Sequence, residues 1–385
     1  MRTRHKKVTT LLLLLMLTVL LSGLFFTGCL GGGFGAPRGW SGGVMDGDIL
    51  YIGSMDGRLV AVNTTDGSVL WAVPLESQTT SSSSLSCAPV SKAIAIYGAP
   101  AVAEDLVYIA GYSGWVYAFS RDGTRQEPRW VGPRQESDRG TIIGGVIYDQ
   151  GRLYFGASNQ KVYALDAAEG YTEWKYDEIG DKIWSTPTVD GDTLYIGSFD
   201  KKLYTLNTDT GEKEWDYEAG GAIVAPPLVY NSMVYFGSFD RYFYAVDTGG
   251  NYKWKFSGEN WFWAKAIARN GTIYAGCLDG KVYALNADSG SLQKEFDLEG
   301  PISSSPVLVD DLLIVVTEEG VVYALDTGSN QKRELVNLEE KVNAALTAGQ
   351  GVVYVHTVAD TLHEVDVHSG AKRDIVIKEP EEEKE

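Results

Sequence analysis

The 385-residue chain is 44% apolar and 22% charged, with 44 Gly, 22 Tyr and 10 Trp. This is the composition of a packed, turn-rich globular protein and excludes a largely disordered one. Its formal charge of −18, from 33 basic and 51 acidic residues, repels phosphate backbones and argues against nucleic acid as a partner.

The first element in chain order is an address. Residues 1–7 are basic and residues 11–26 almost wholly apolar, and Thr27-Gly28-Cys29 follows at once; these are the parts of a signal peptide. Sixteen apolar residues make a helix of about 24 Å, short of the roughly 30 Å hydrocarbon core, so cleavage is expected and not a permanent span. The stretch Phe26-Thr27-Gly28-Cys29 resembles the bacterial lipobox, with Phe in place of the usual Leu. That resemblance implies cleavage after residue 28, lipidation of Cys29, and export to the outer face of the cytoplasmic membrane or to the outer membrane. Loss of Arg2, Arg4, Lys6 and Lys7 would leave 29 basic against 51 acidic residues, a charge of −22. Residues 29–39 then form a lipidated Cys and a Gly-rich tether.

From residue 40 to 377 the chain repeats. An aromatic or aliphatic anchor at Tyr51, Tyr108, Tyr154, Tyr195, Tyr235, Tyr274, Ile314 and Tyr354 is followed nine residues later by a second one, aromatic in most copies, and the anchors are spaced 57, 46, 41, 40, 39, 40 and 40. A period near 40 with four strands of pattern per unit is that of a propeller, and no sustained 3.6-residue apolar period follows residue 30. The expected fold is all-β: an eight-bladed β-propeller of four-stranded antiparallel blades. In the fourth unit the strands read as 183–189, 193–199, 202–207 and a fourth after Gly211. Asp56-Gly57, Ser113-Gly114, Asp279-Gly280 and Glu319-Gly320 suit a two-residue hairpin between the second and third strands, which would set Gly197 opposite Tyr204. The run 378–385 reads as a solvated acidic tail.

The units end in a recurrent Asp/Asn…Gly…Trp pattern, Asp166…Gly170…Trp174 and Asn207…Gly211…Trp215, with Asn63…Gly67…Trp71 and a shorter copy ending in Trp254. This resembles the docking repeat of the quinoprotein-like (PQQ-repeat) propellers, over about residues 40–375. The resemblance implies that each of these Trp residues packs over the Gly-containing turn of the following blade. Blades six to eight lack the Trp.

Two branches of that superfamily compete. One oxidises alcohols or sugars with pyrroloquinoline quinone and calcium, which requires carboxylate and amide oxygens on a hard cation and a carboxylate base; many members also carry adjacent cysteines. No such Cys pair exists here, Cys87 and Cys277 have no spacing that argues for a disulfide, and the Asp-Gly-Asp runs at 46–48 and 190–192 read as turns. No cofactor is expected. The hairpin register would set His356 opposite His363 as a weak metal-binding candidate with no evident third ligand. The other branch, the BamB-like lipoproteins of outer-membrane barrel assembly, is non-catalytic, and the lipobox, tether and eight plain blades resemble it. The expected function is thus a membrane-anchored protein-interaction scaffold, of the outer-membrane assembly type if the cell has an outer membrane; the alternatives are the quinoprotein dehydrogenase and a surface ligand-binding propeller.

A partner or extended ligand is expected on one face. Polar insertions at 76–87 and 131–139 emerge there. Trp40, Trp184 and Trp263 each lie eleven residues before their anchors, with Trp261 close by, and should ring the channel mouth. Trp115 and Tyr242 follow the outer turn on the same face, where other blades place Arg58, Lys161, Lys202 and Lys281.

Overall fold

The computed structural model describes residues 39–75, 94–134 and 139–377. The signal segment, Cys29, most of the tether, the Ser-rich insertion with Cys87, and the acidic tail lie outside these residues. Eight four-stranded antiparallel sheets, each built from consecutive strands, form an eight-bladed β-propeller, as the repeat requires. In the fourth blade the strands are Thr188–Asp190, Thr193–Gly197, Lys202–Asn207 and Lys213–Glu218.

The inner strands are shorter than their sequence suggests. Pro100, Pro187, Pro227 and Pro306 stand directly before the inner strands of blades two, four, five and seven. Proline has no N–H for a ladder, so pairing starts after it.

The hairpin register also differs from expectation by one residue. Gly197 pairs with Leu203, and Tyr204 with Ile196; Gly53, Gly156, Gly237 and Gly276 face Leu59, Val162, Phe243 and Val282. The turns hold three residues, not two. Ser198 N–H donates to Lys202 O around Phe199-Asp200-Lys201, and the third residue is left-handed: φ is 83° at Gly57 and 90° at Gly280, but also 75° at Lys201 and 70° at Arg241. One added left-handed residue moves the pairing by one and exchanges the faces. The strand glycines therefore do not lie under the tyrosines. A Cβ on Gly197 would come within 2.3 Å of Ile223, and one on Gly156 within 2.3 Å of Ile183, so these glycines admit the side chain that leads into the next blade's inner strand.

The core lies between blades. Tyr154, Val162 and Trp174 of blade three pack with Ile183, Leu194 and Leu206 of blade four. Leu50, Ile52 and Val62 of blade one meet Tyr354, Leu362 and Ile375 of blade eight in the same way and close the ring. Blade eight is completed by its own outer strand, Lys372–Val376, so no strand crosses this seam.

Polar contacts complete the closure. Thr347 Oγ1 accepts from Gly43 N–H at 2.9 Å. The buried His356 ring lies 3.1 Å from Ser41 O through Nδ1 and 2.9 Å from the Asp360 carboxylate through Nε2, and that carboxylate also accepts Met55 N–H at 2.9 Å. Hydrogen bonds from the ring and from Met55 outweigh the opposing desolvation and hold the Asp360 carboxyl below its ordinary pKa.

Candidate functional site

The outer strands carry the docking residues, and a bulge aims them. In blade three the register shifts between Ala164 and Leu165, directly after the pair Ala164–Trp174, and the same shift follows the Trp pair in blades one, four and five. The indole then lies on the next blade: a Cβ on Gly211 would be 2.6 Å from Trp174, and one on Gly250 2.8 Å from Trp215. The indoles of blades three, four and five also donate a hydrogen bond there, from Trp174 to Thr208 O at 2.8 Å, Trp215 to Thr248 O at 3.0 Å and Trp254 to Ala287 O at 2.9 Å.

Two docking features escape the sequence pattern. Trp130 does for blade two what these do for theirs, covering Gly170 and donating to Ala167 O at 3.0 Å. Trp71 covers Gly123 of blade two, whereas Gly67 of blade one follows blade eight, which lacks the Trp, and needs another cover. It receives Arg373 of blade eight, whose guanidinium donates to Thr64 O and Thr65 O. Arg333 of blade seven likewise donates to Val367 O at 2.8 Å and His368 O at 2.6 Å. A flat, multiply donating guanidinium thus occupies the indole position in blades seven and eight, whereas blade six has Lys294 there.

The inner-strand entries line the central channel, which holds a cavity of about 480 Å³. At the position eleven residues before each anchor stand Trp40, Tyr97, Ile143, Trp184, Val224 and Trp263 in blades one to six, and Ser303 and Asn343 in blades seven and eight. The mouth is therefore aromatic and aliphatic over most of its circumference and polar over the rest. Among the described residues, none that lines this cavity is Asp, Glu, His or Cys, so these side chains offer none of the carboxylate oxygens a hard cation favours.

Two aromatic clusters form at this mouth. Trp184 meets Phe199 edge-on at 4.7 Å, Phe199 lies 6.1 Å from Phe239, and Phe239 stacks on Trp261 at 4.3 Å and on Trp263 at 5.4 Å. The Lys182 ammonium lies 4.4 Å from the Phe199 ring and 4.9 Å from Trp184. Across blades one and two, Trp40 packs on Tyr97 at 4.6 Å and Tyr97 on Tyr112 at 5.5 Å. Phe199, Phe239 and Tyr112 are first residues of the three-residue turns, and each turn is tied to the linker beside it, as Phe199 N–H to Lys182 O at 3.1 Å and Tyr112 N–H to Ala95 O at 2.9 Å. Trp40, Tyr112 and Trp261 stay about two-fifths exposed, although large aromatics are usually covered.

Trp115 and Tyr242 do not join these clusters. Trp115 lies beneath the Arg139 guanidinium at 3.7 Å, and Tyr242 packs with Lys255 at 4.0 Å in a shallow groove with Tyr217 and Tyr252. The six aromatics expected on one face thus divide into the channel mouth and two sites farther out.

His356 and His363 are not opposite each other. His356 pairs with Leu362 and His363 with Val355, a direct result of the one-residue shift. His356 belongs to the ring closure, while His363 Nδ1 lies 2.7 Å from Asp374. Among the described residues no group of three or more His, Cys, Asp or Glu could hold a metal ion. Cys277 is a buried free thiol, pushed up to about 12 by burial, with its sulfur 3.3 Å from Asn260 O.

Known proteins resemble this chain along the same lines. The sequence profile of the family described as outer membrane protein assembly factor BamB matches residues 37–176 and again 177–372. A curated relative of that name from Alkalilimnicola ehrlichii is 27% identical over 156 residues, 40% of this chain and 37% of that protein; one from Legionella pneumophila is 23% identical over 144 residues, 37% of this chain and 34% of that protein. The Escherichia coli protein of that name is 30% identical over 96 residues, 23% of this chain and 24% of its own. The aligned stretches thus span little more than a third of these relatives at most. Among solved structures, BamB from Moraxella catarrhalis superposes with a TM-score of 0.67 at 18% identity, over 84% of this chain and 95% of that one. The computationally designed Ika8 protein superposes at 0.68 with 14% identity, over 86% and 96%; likenesses at these identities speak for the fold. With the profile matching from the first blade into the last, the chain belongs to the outer membrane protein assembly factor BamB family.

Proposed function

We propose that this chain is a non-catalytic scaffold, held in the envelope by a lipid on Cys29, that binds a polypeptide partner of outer-membrane protein assembly through the aromatic mouth of its channel. The observation that carries this reading is the continuous cluster Trp184, Phe199, Phe239, Trp261 and Trp263 at an open mouth. Aromatic side chains with a flanking lysine present large contact area at low entropic cost and dominate protein interfaces. The cavity's lining speaks against hard-cation chemistry in the channel, and the curated relatives are named as assembly factors.

Replacing Trp184, Phe239 and Trp263 together by alanine is expected to abolish co-purification of the barrel-assembly complex with the tagged, full-length chain. Circular dichroism and thermal unfolding of the variant establish that it is folded. Undiminished recovery of the complex by a folded variant would falsify the assignment of the binding face. The anchor has its own test: Cys29→Ser is expected to eliminate incorporation of labelled palmitate and release the protein from washed membranes, and a variant still labelled refutes lipidation at this residue.

A further inference from the structure

The inner strand of blade six carries a feature that its seven counterparts lack. Along residues 262–266 burial alternates: Phe262, Ala264 and Ala266 are buried between blades, whereas Trp263 and Lys265 are only partly covered. Trp263 lines the channel, and in the other seven blades the residue two places after the entry position lines the same cavity, as Gly42, Pro226 and Ser305 do, so Lys265 stands at the channel-side position of blade six, just before its inner strand Ile267–Arg269. The seven equivalent positions in the other blades hold only Gly, Ala, Thr, Pro and Ser. Lys265 is thus the one charge in a ring of small neutral residues.

That ammonium has no carboxylate partner among the described residues, and burial alone pushes its pKa down. A partly desolvated cation without a counter-charge costs free energy that a structure ordinarily offsets with one. A second observation points into the same sector. Ser303, in the adjacent blade and on the wall of the same cavity, has a buried hydroxyl with no hydrogen-bond partner among the described residues, while Ser305 Oγ accepts the Lys265 backbone N–H at 3.1 Å. Asn343 lies in the next blade on the same wall. A hydroxyl and an amide, both able to donate, therefore stand on the polar side of a cavity whose other side is Trp and Tyr, and Lys265 occupies the neighbouring channel-side position of blade six.

We infer that the channel binds an organic carboxylate carrying an aromatic ring, with the carboxylate toward Lys265 and Ser303 and the ring against the aromatic wall. The inference rests on the reading of this mouth as a binding site and adds the chemistry of what enters it. A charge-assisted hydrogen bond from Lys265 supplies the selectivity for acid over neutral group, and the cavity, about 480 Å³, lies within the range of small-ligand pockets. Such a group comes either from a free aromatic acid or from the last residue of a polypeptide, and both present the same atoms.

Calorimetric titration of the full chain separates the outcomes. The probes are 3-phenylpropionate and its primary amide, and an acetylated hexapeptide ending in tyrosine, as free acid and as amide. The acid form of at least one pair is expected to bind about tenfold more tightly than its amide. Preference in the phenylpropionate pair alone assigns a free acid, and preference in the peptide pair alone assigns a chain end. Lys265→Met is expected to remove the discrimination and Lys265→Arg to keep it, with unfolding curves recorded for both. Equal binding of acid and amide in both pairs, absence of binding by all four probes, or discrimination that survives in folded Lys265→Met overturns the inference. If the mouth variant still recovers the assembly complex while acid selectivity holds, the scaffold reading fails and the carboxylate site stands; the converse result separates them the other way.

Discussion

Trp174→Ala is expected to lower the stability of the propeller by about 3–5 kcal/mol, the cost of emptying a buried indole site. Trp174 is 9% exposed, packs 5.8 Å from Tyr154, and covers Gly211, whose φ of 71° belongs to a turn with no side chain of its own to fill the gap. The indole also donates to Thr208 O, but Tyr154 OH donates to the same carbonyl at 3.3 Å, so the acceptor keeps a partner and packing dominates the loss. Trp174→Phe should accordingly cost much less than Trp174→Ala. Urea unfolding followed by tyrosine and tryptophan fluorescence measures both. An alanine variant within about 1 kcal/mol of the parent would show that inter-blade docking does not stabilise the ring.

The second large effect is expected at the closing seam. Asp360→Ala leaves the His356 Nε2 side and Met55 N–H without their shared acceptor in a buried site, and removal of one member of such a pair costs about 3–5 kcal/mol. With Asp360 ionised, both ring nitrogens of His356 face acceptors, Ser41 O and the carboxylate. The pH dependence has a definite sign. Because the folded state holds the Asp360 carboxyl below its ordinary value, its contribution is fully present above the unfolded pKa of about 3.9 and is lost as pH falls through the depressed folded value. The difference in urea midpoint between parent and Asp360→Ala should therefore be full at neutral pH and narrow in acid below about pH 4. A difference that is constant across this range contradicts the role given to the carboxylate.

Much of this architecture is legible in the residues, and what is not has identifiable causes. The eight anchors mark real second strands, and the position eleven residues earlier does reach the channel, because both follow from strand periodicity. The turn register is harder to read. Its left-handed third residue is Gly in blades one, two, six and seven but Gln160, Lys201, Arg241 and Asp360 in the others, so the glycine signal covers only half the cases and Asp-Gly suggests a shorter turn than the one formed. That single shift separates His356 from His363 and moves the strand glycines from beneath the tyrosines to the next blade's entry side chain.

The site was harder to read than the fold for a related reason. Phe199, Phe239 and Tyr112 are turn residues outside the strand alternation, and their placement at the mouth depends on the register. Trp130 was hidden by the long 121–129 connection in blade two, and Arg333 and Arg373 by a change of chemistry at a conserved geometry. In each case a local pattern recorded the residue but not the neighbour that gives it a role.

The seam between blades eight and one has a wider consequence. Each blade is a contiguous segment and every junction, this one included, is made by side chains meeting across two complete sheets. The position of the chain ends is then a matter of bookkeeping and not of architecture: a circular permutant opened in the linker between Tyr176 and Thr188, with residues 39 and 377 joined, would retain every sheet and every docking contact. A ring so built can also change its number of wedges by whole units, since no exchanged strand commits the last one to the first.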